Sequence, residues 1–447
     1  MTDLLIRHAD VLTLDDGHTT HRDADIAIRD GLILALGPAP LVLPPDFVAD
    51  ETLDLTDHLV MPGLVNAHTH APMVLLRSSC DDMPIARWFN DGIWVLESGL
   101  TEEAIRWGAL LAVVEMLRGG TTIFADHYFA MDQVAEAVVT SGMRATLAWA
   151  VFGLGSEADA VADLGRTEAF VLQWQDAADG RIKTVLGPHS PYICPEAYLR
   201  LIAERAQRLG LGIHIHIAET WEQTRVSLAK RGKTPVQYLD DCGIFSVPTI
   251  AAHCVGVNAD DIAILAARSV YVAHCPTVAM KLAMGVAPVP AMLAAGVNVA
   301  LGTDGAASNN DLALLAEAQL AKLLHIHHTG DATVLPGDTT LRMATRNGAM
   351  ATGFPQSGIL APGMAADLIA LDQRRPHLRP RNSLEGNVLY AAQSGDVDTV
   401  LVAGRVLMRQ GALTTLDEER IIAEAERHGL ALVARGRDQQ RARTYDA

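Results

Sequence analysis

LGIHIHIAET, Leu211–Thr220, is the stretch on which the fold turns. His214 and His216 stand two apart in an apolar, strand-like run, so their side chains share one face. Glu219 follows three residues after His216, just past the end of the run. Four further segments are built the same way: NAHTH (Asn66–His70), GPHSP (Gly187–Pro191), AAHC (Ala251–Cys254) and LGTDGAASNN (Leu301–Asn310). Each closes an apolar run, so histidines and carboxylates from distant stretches could converge at one end of a barrel. A lone histidine means little. Several, each at a strand's C-terminal end, point to a hydrolytic metal site.

Outward from these segments, strand and helix alternate eight times. The strand candidates are LVMPGLVNAHTH, TTIFADHYF, RATLAWAV, IKTVLGPH, LGIHIHIA, PTIAAHC, SVYVAHC and VNVALGTD. Thr101 with Glu102 and Glu103 reads as a helix start, and Arg118-Gly119 as its stop. Pro195-Glu196 opens another helix and Gly210 ends it. Eight such units predict an α/β protein of the TIM-barrel class, (β/α)8, over residues 61–357. No G-x-G-x-x-G follows the first strand, which disfavours a dinucleotide-binding sheet. Residues 1–60 and 358–415 read as short strands and predict one discontinuous β-sandwich domain built from both ends of the chain. Residues 416–447 read as a C-terminal helix, over about 417–435, and a tail.

The chain has 447 residues, 49% of them hydrophobic, with a mean hydropathy of +0.18. That supports a sizeable core. Apolar runs are broken well before the roughly 20 residues of a spanning helix. The N-terminus has no basic segment followed by an apolar stretch, so a cytoplasmic protein with no membrane partner is expected. A net charge of −18 argues against a nucleic-acid partner, which would need clustered Lys and Arg. The five cysteines are scattered and form no C-x-x-C pair, so neither disulfides nor a thiolate cluster is expected. Cys254 and Cys275 read as small buried hydrophobes.

Among the candidate residues, His68 and His70 also share one strand face and could supply half of a tetrahedral zinc site. His216 is nearer its strand end than His214 and is the better ligand; His214 reads as packing or support. Glu219 is placed to move a proton, or to sit as an acid at a helix N-terminus. His253 and Asp304 end the sixth and eighth runs, and Asp304 alone would equally suit a turn. His274 ends the seventh run and is read as core or support.

Taken in order, PGLVNAHTHAPMVLLR, GPHSPYIC, HIHIAET, IAAHCV and LGTDGAASNN resemble the amidohydrolase superfamily. More narrowly they resemble its 5-methylthioadenosine/S-adenosylhomocysteine deaminases, and the likeness runs through nearly the whole chain. The resemblance implies metal ligands at His68, His70, His216 and Asp304, with one divalent ion, zinc, per subunit. It implies a general acid/base at Glu219, a hydroxide-orienting group at His253, and a part for Asp304 in proton transfer. Some members of the superfamily bridge two metals with a modified lysine at the end of the fourth strand. Here that strand ends in His189 and its lysine, Lys183, lies at the other end, so a single ion is expected.

The same resemblance implies a nucleoside substrate, with Trp88 packing against it, Glu97 accepting from the ribose hydroxyls and His189 in contact. Family members that take the homocysteine carboxylate have an arginine where this chain has Trp149, and Arg166 is the candidate for a second. Methylthioadenosine or adenosine is therefore expected ahead of S-adenosylhomocysteine. The alternatives are a deaminase or hydrolase of a free base or triazine (guanine, 8-oxoguanine, a chloro-triazine) and a catalytically silent scaffold. Assembly into a homo-oligomer stays open.

Overall fold

The computed structural model describes residues 3–445, with side chains described up to residue 440. Residues 446–447, the end of the expected tail, and residues 1–2 lie outside the described residues. The described strands form two sheets, one of nine strands and one of eight.

The nine-stranded sheet takes β1 (Leu4–Leu12), β2 (Thr20–Arg29), β3 (Leu32–Pro38), β4 (Glu51–Asp54) and β5 (His58–Pro62) from the N-terminal side. The eight-stranded sheet is β6 (Leu64–Thr69), β7 (Thr121–Tyr128), β8 (Arg144–Val151), β9 (Ile182–Pro188), β10 (Ile213–Ile217), β11 (Thr249–His253), β12 (Tyr271–His274) and β13 (Asn298–Leu301). The chain then returns to the first sheet with β14 (Leu368–Asp372), β15 (Val397–Val402), β16 (Arg405–Arg409) and β17 (Ala412–Leu413). β5 pairs antiparallel with β14, Leu59 opposite Leu371, so one ladder joins the two ends of the chain.

β6 to β13 run parallel in chain order, the (β/α)8 arrangement. Asp304 N–H donates to His68 O at 3.0 Å and draws the end of the last strand against the first. On β10, Ile213, Ile215 and Ile217 belong to the apolar layer between strands and helices. Alternation then turns His214 and His216 to the barrel interior. The run LVMPGLVNAHTH, read as one strand, is split at Gly63: His58–Pro62 joins the end sheet and Leu64–Thr69 the barrel. A Cβ at Gly63 would lie 2.2 Å from the Thr122 hydroxyl, so only glycine lets the chain cross between the sheets here.

Helix ends follow the capping chemistry. α1 (Glu102–Arg118) starts with the Thr101 side chain accepting from Ala104 N and stops at Gly119. α2 spans Glu157–Trp174, and α3, Glu196–Leu209, ends at Gly210 in the left-handed region. α4 (Leu314–Thr329) follows the last barrel strand. α5 (Glu418–Tyr445) runs ten residues or so beyond the length read from its amphipathic pattern. Among the described residues no helix is long and apolar enough to cross a membrane.

Candidate active site

At the C-terminal ends of the barrel strands, the imidazoles of His68, His70, His216 and His253 crowd together, ring centroids 4.9–5.5 Å apart. His70 Nδ1 donates to His127 O at 2.5 Å and His216 Nδ1 donates to His189 O at 2.8 Å. With Nδ1 engaged by those carbonyls, each ring turns its Nε2 inward. The Nε2 atoms of His70 and His216 lie only 3.3 Å apart. His68 Nδ1 is held 2.8 Å from His214 Nε2, and the buried His68 Nε2 finds no hydrogen-bond partner among the described residues. Asp304 Oδ1 stands 3.2 Å from His70 Nε2 and 3.6 Å from His68 Nε2.

One ligand atom each from His68, His70 and His216 falls within a 4.8 Å cluster, and so does one each from His68, His253 and Asp304. Against its burial, the Asp304 carboxylate pushes the His70 imidazole up to about 9, so this spot favours a positive charge. This donor set therefore fits a divalent metal, with His214 and the two carbonyls orienting the ligands from behind.

Three of the strand ends are bent to make this possible. Ala218, His253 and Asp304 have φ of +48°, +74° and +61°, a region that side chains other than glycine's disfavour. Asp304 is secured there by its N–H to His68 O and by its carbonyl, which accepts from the hydroxyls of Thr69 at 3.0 Å and Thr303 at 2.9 Å. Burial, with the Asp304 charge adding to it, pushes the Glu219 carboxyl up to about 8. Tyr192 Oη donates to Glu219 Oε1. Burial takes His253 and His189 down to about 3, so both are neutral at physiological pH.

Above these residues opens a cavity of about 420 Å³, within the range of small-molecule sites. His70, His189, His216, Glu219, His253 and Asp304 line it, and so do Trp88 and Glu97 from the segment that follows Asn66–His70. That segment is a run of short helical turns, with Trp88–Ile93 wound as a π-helix. Glu97 accepts from Tyr128 Oη at 2.6 Å; burial nevertheless raises its carboxyl to about 7. The buried Trp88 Nε1 has no hydrogen-bond partner among the described residues. Phe89, Ile93, Phe129, Phe152 and Leu154 make much of the remaining wall apolar, with Ser98, His127 and Tyr128 among them. Phe152 stacks on His189, centroids 5.1 Å apart.

Two of the residues expected here are elsewhere. Trp149 packs against Phe170, and the strand's alternation gives Ala150 to the cavity instead. Arg166 lies on α2 with most of its side chain exposed, paired with Asp163. Lys183 pairs with Asp176, as its place at the far end of the strand requires. His274 is buried beside His325. His127, Tyr128, Phe152 and Tyr192 line or touch the site and were not singled out from sequence. For His127 and Tyr128 a signal existed: they end the strand-like run TTIFADHYF, where the other site residues also sit.

Residues 59–407 match the amidohydrolase family. A "5-methylthioadenosine/S-adenosylhomocysteine deaminase" of Pelotomaculum thermopropionicum is 49% identical over 435 residues, covering 97% of this chain and 100% of the relative. A "5'-deoxyadenosine deaminase" of Methanosarcina acetivorans is 44% identical, over 97% of this chain and 99% of its own. Among solved structures, an adenosine deaminase from Xanthomonas campestris with bound zinc superposes with a TM-score of 0.90 at 34% identity, covering 99% of both chains.

Proposed function

The chain belongs to the amidohydrolase family, and on that premise we propose that it is a metal-dependent hydrolase that removes the 6-amino group of an adenine nucleoside as ammonia. One observation carries the reading. Three imidazole Nε2 atoms and the Asp304 carboxylate converge at the floor of a cavity whose wall also presents Glu219, His253 and, from a separate segment, Glu97. The relatives named as deaminases of methylthioadenosine, S-adenosylhomocysteine and 5'-deoxyadenosine support the substrate class.

His68, His70, His216 and Asp304 would hold one divalent ion, and the zinc of the Xanthomonas structure supports zinc. When bound, such an ion acts as a Lewis acid and lowers the pKa of a coordinated water toward about 7. Glu219, raised to about 8, carries a proton at neutral pH that it can give to N1 of the purine as C6 becomes tetrahedral. Asp304 and Glu219 then carry the proton of the oxygen added at C6 to the 6-amino group, which leaves as ammonia as the C6–N bond breaks and the 6-oxo group forms. His253 is neutral, and its ring hydrogen-bonds the oxygen added at C6. At the other end of the cavity Glu97 accepts from the ribose hydroxyls, Trp88 packs on the nucleoside and His189 contacts it.

The apolar wall supports a neutral 5' substituent, methylthio or deoxy, ahead of one ending in a carboxylate. The net charge of −18 supports a small-molecule substrate over a nucleic acid.

The test combines metal analysis with ammonia release from 5'-methylthioadenosine, 5'-deoxyadenosine, adenosine, S-adenosylhomocysteine, guanine and 8-oxoguanine. About one zinc per chain and turnover of the nucleosides are expected. Glu219→Gln should keep the metal and lose about 10²–10⁴-fold in kcat. Turnover of guanine with none of the nucleosides would sink the reading.

A further inference from the structure

Glu317 is a buried carboxylate with no part in the chemistry above. It sits in the first turn of α4, 1% exposed, and among the described residues it forms no ion pair with a cation. Burial alone would drive such an acid toward its neutral form, and its carboxyl is raised to about 7. A fold keeps an unpaired acid in its core only where the acid's hydrogen bonds matter.

Those bonds lead to the metal-site loop. Glu317 Oε1 accepts from Asn309 Nδ2 at 2.7 Å, and Oε2 accepts from Thr277 N, in the short helix Pro276–Lys281 that follows β12, at 3.2 Å. The same Asn309 amide donates to Thr303 O at 2.7 Å, so both of its N–H bonds are engaged. Thr303 is in turn locked to β6: its N–H donates to Asn66 Oδ1 at 3.1 Å and its hydroxyl accepts from Asn66 Nδ2 at 2.7 Å. The next residue is Asp304, whose left-handed backbone, φ +61°, persists only where its surroundings hold it.

We propose that Glu317 is a positioning residue for Asp304: through Asn309 and Thr303 it ties the 303–310 loop to the tip of β12 and keeps the Asp304 carboxylate among His68, His70 and His253. The inference rests on the reading of Asp304 as a metal ligand. A carboxylate suits this place better than an amide. Both partners are N–H donors, and a glutamine would turn its own NH₂ toward one of them. Glu317 touches neither substrate nor metal, so its effect reaches the reaction only through the loop.

The experiment measures the rate at which full-length, zinc-loaded protein gives up its zinc to a chelator, alongside kcat and KM. Glu317→Gln is expected to speed zinc loss and lower kcat by about 10- to 100-fold each, with KM within about threefold, since support behind metal ligands carries effects of that size. Asn309→Ala, which leaves Glu317 in place, should speed zinc loss similarly. The double variant should be no faster than Asn309→Ala alone, because both act through one contact. Wild-type zinc retention and kcat in Glu317→Gln would overturn the proposal, as would effects of the two substitutions that simply add. Should Glu317→Gln fail to fold, wild-type zinc retention in Asn309→Ala overturns it and fast loss upholds it. A wild-type chain that holds zinc but deaminates nothing removes the functional reading alone, because the chelator measurement still decides Glu317. A wild-type chain that binds no zinc overturns both.

Discussion

S-Adenosylhomocysteine differs from methylthioadenosine by carrying a carboxylate and an ammonium on the substituent of its 5' sulfur, and that difference should be costly for this cavity. Among the described residues no Lys or Arg lines it, whereas Glu97, Glu219 and Asp304 do. Arg166, the one arginine the sequence offered, is exposed and engaged with Asp163. A buried charge deprived of its partner costs about 3–5 kcal/mol. The rim is partly open, with Leu154 57% and Trp94 43% exposed, so water recovers some of that and about 2–3 kcal/mol remains. At 1.36 kcal/mol per factor of ten, kcat/KM should favour methylthioadenosine by about 30- to 160-fold. The assay is steady-state ammonia release from each substrate. Leu154→Arg offers the test from the other side: a charge-assisted bond of about 1.5 kcal/mol or more should shrink the ratio about tenfold. A wild-type ratio within about threefold, with Leu154→Arg changing nothing, would refute the reasoning.

Three other outcomes follow from contacts already described. Glu97 is raised to about 7 by burial, and the proposed role of accepting from both ribose hydroxyls would call for its ionised form; nucleoside KM should then fall about 5- to 10-fold as pH climbs from about 6 to about 8. Glu97→Gln should flatten that dependence in the same kinetic assay. A Cβ at Gly302 would stand 2.8 Å from His68 O and 2.9 Å from its N and Cβ. Gly302→Ala should therefore destabilise the fold by about 1–3 kcal/mol and lower bound zinc, read by denaturation and metal analysis. Asp367 pairs with Arg144 of the barrel at 2.8 Å and accepts from Ser357 Oγ at 2.5 Å and Ala403 N at 2.7 Å. Asp367→Ala should cost about 3–5 kcal/mol in denaturant unfolding yet leave the zinc content unchanged.

How much of this was legible beforehand depended on whether a property is local. His68, His70, His216, Glu219, His253 and Asp304 were readable because each ends an apolar run, and in a barrel of parallel strands those ends meet at one mouth. The choice of His216 over His214 came from position along the strand alone. The structure adds what His214 does, which is to hold His68 Nδ1. Gly63 was hidden inside one apolar run because the break it makes is between two sheets, a matter of what packs on its Cα.

The repeating strand-helix pattern and the order of metal-competent residues were determined by the sequence itself, since strand alternation and helix caps act within a few residues. Tertiary structure alone decided which side chains face one another. It gave Ala150 rather than Trp149 to the cavity, and it left Arg166 outside. It also placed Glu317 behind Asn309, bent Asp304 into a left-handed turn and brought two imidazole nitrogens to 3.3 Å. The imidazole contact joins residues 146 apart in the chain, and the turn at Asp304 depends on strain that only surrounding packing can sustain. No short window of sequence contains either.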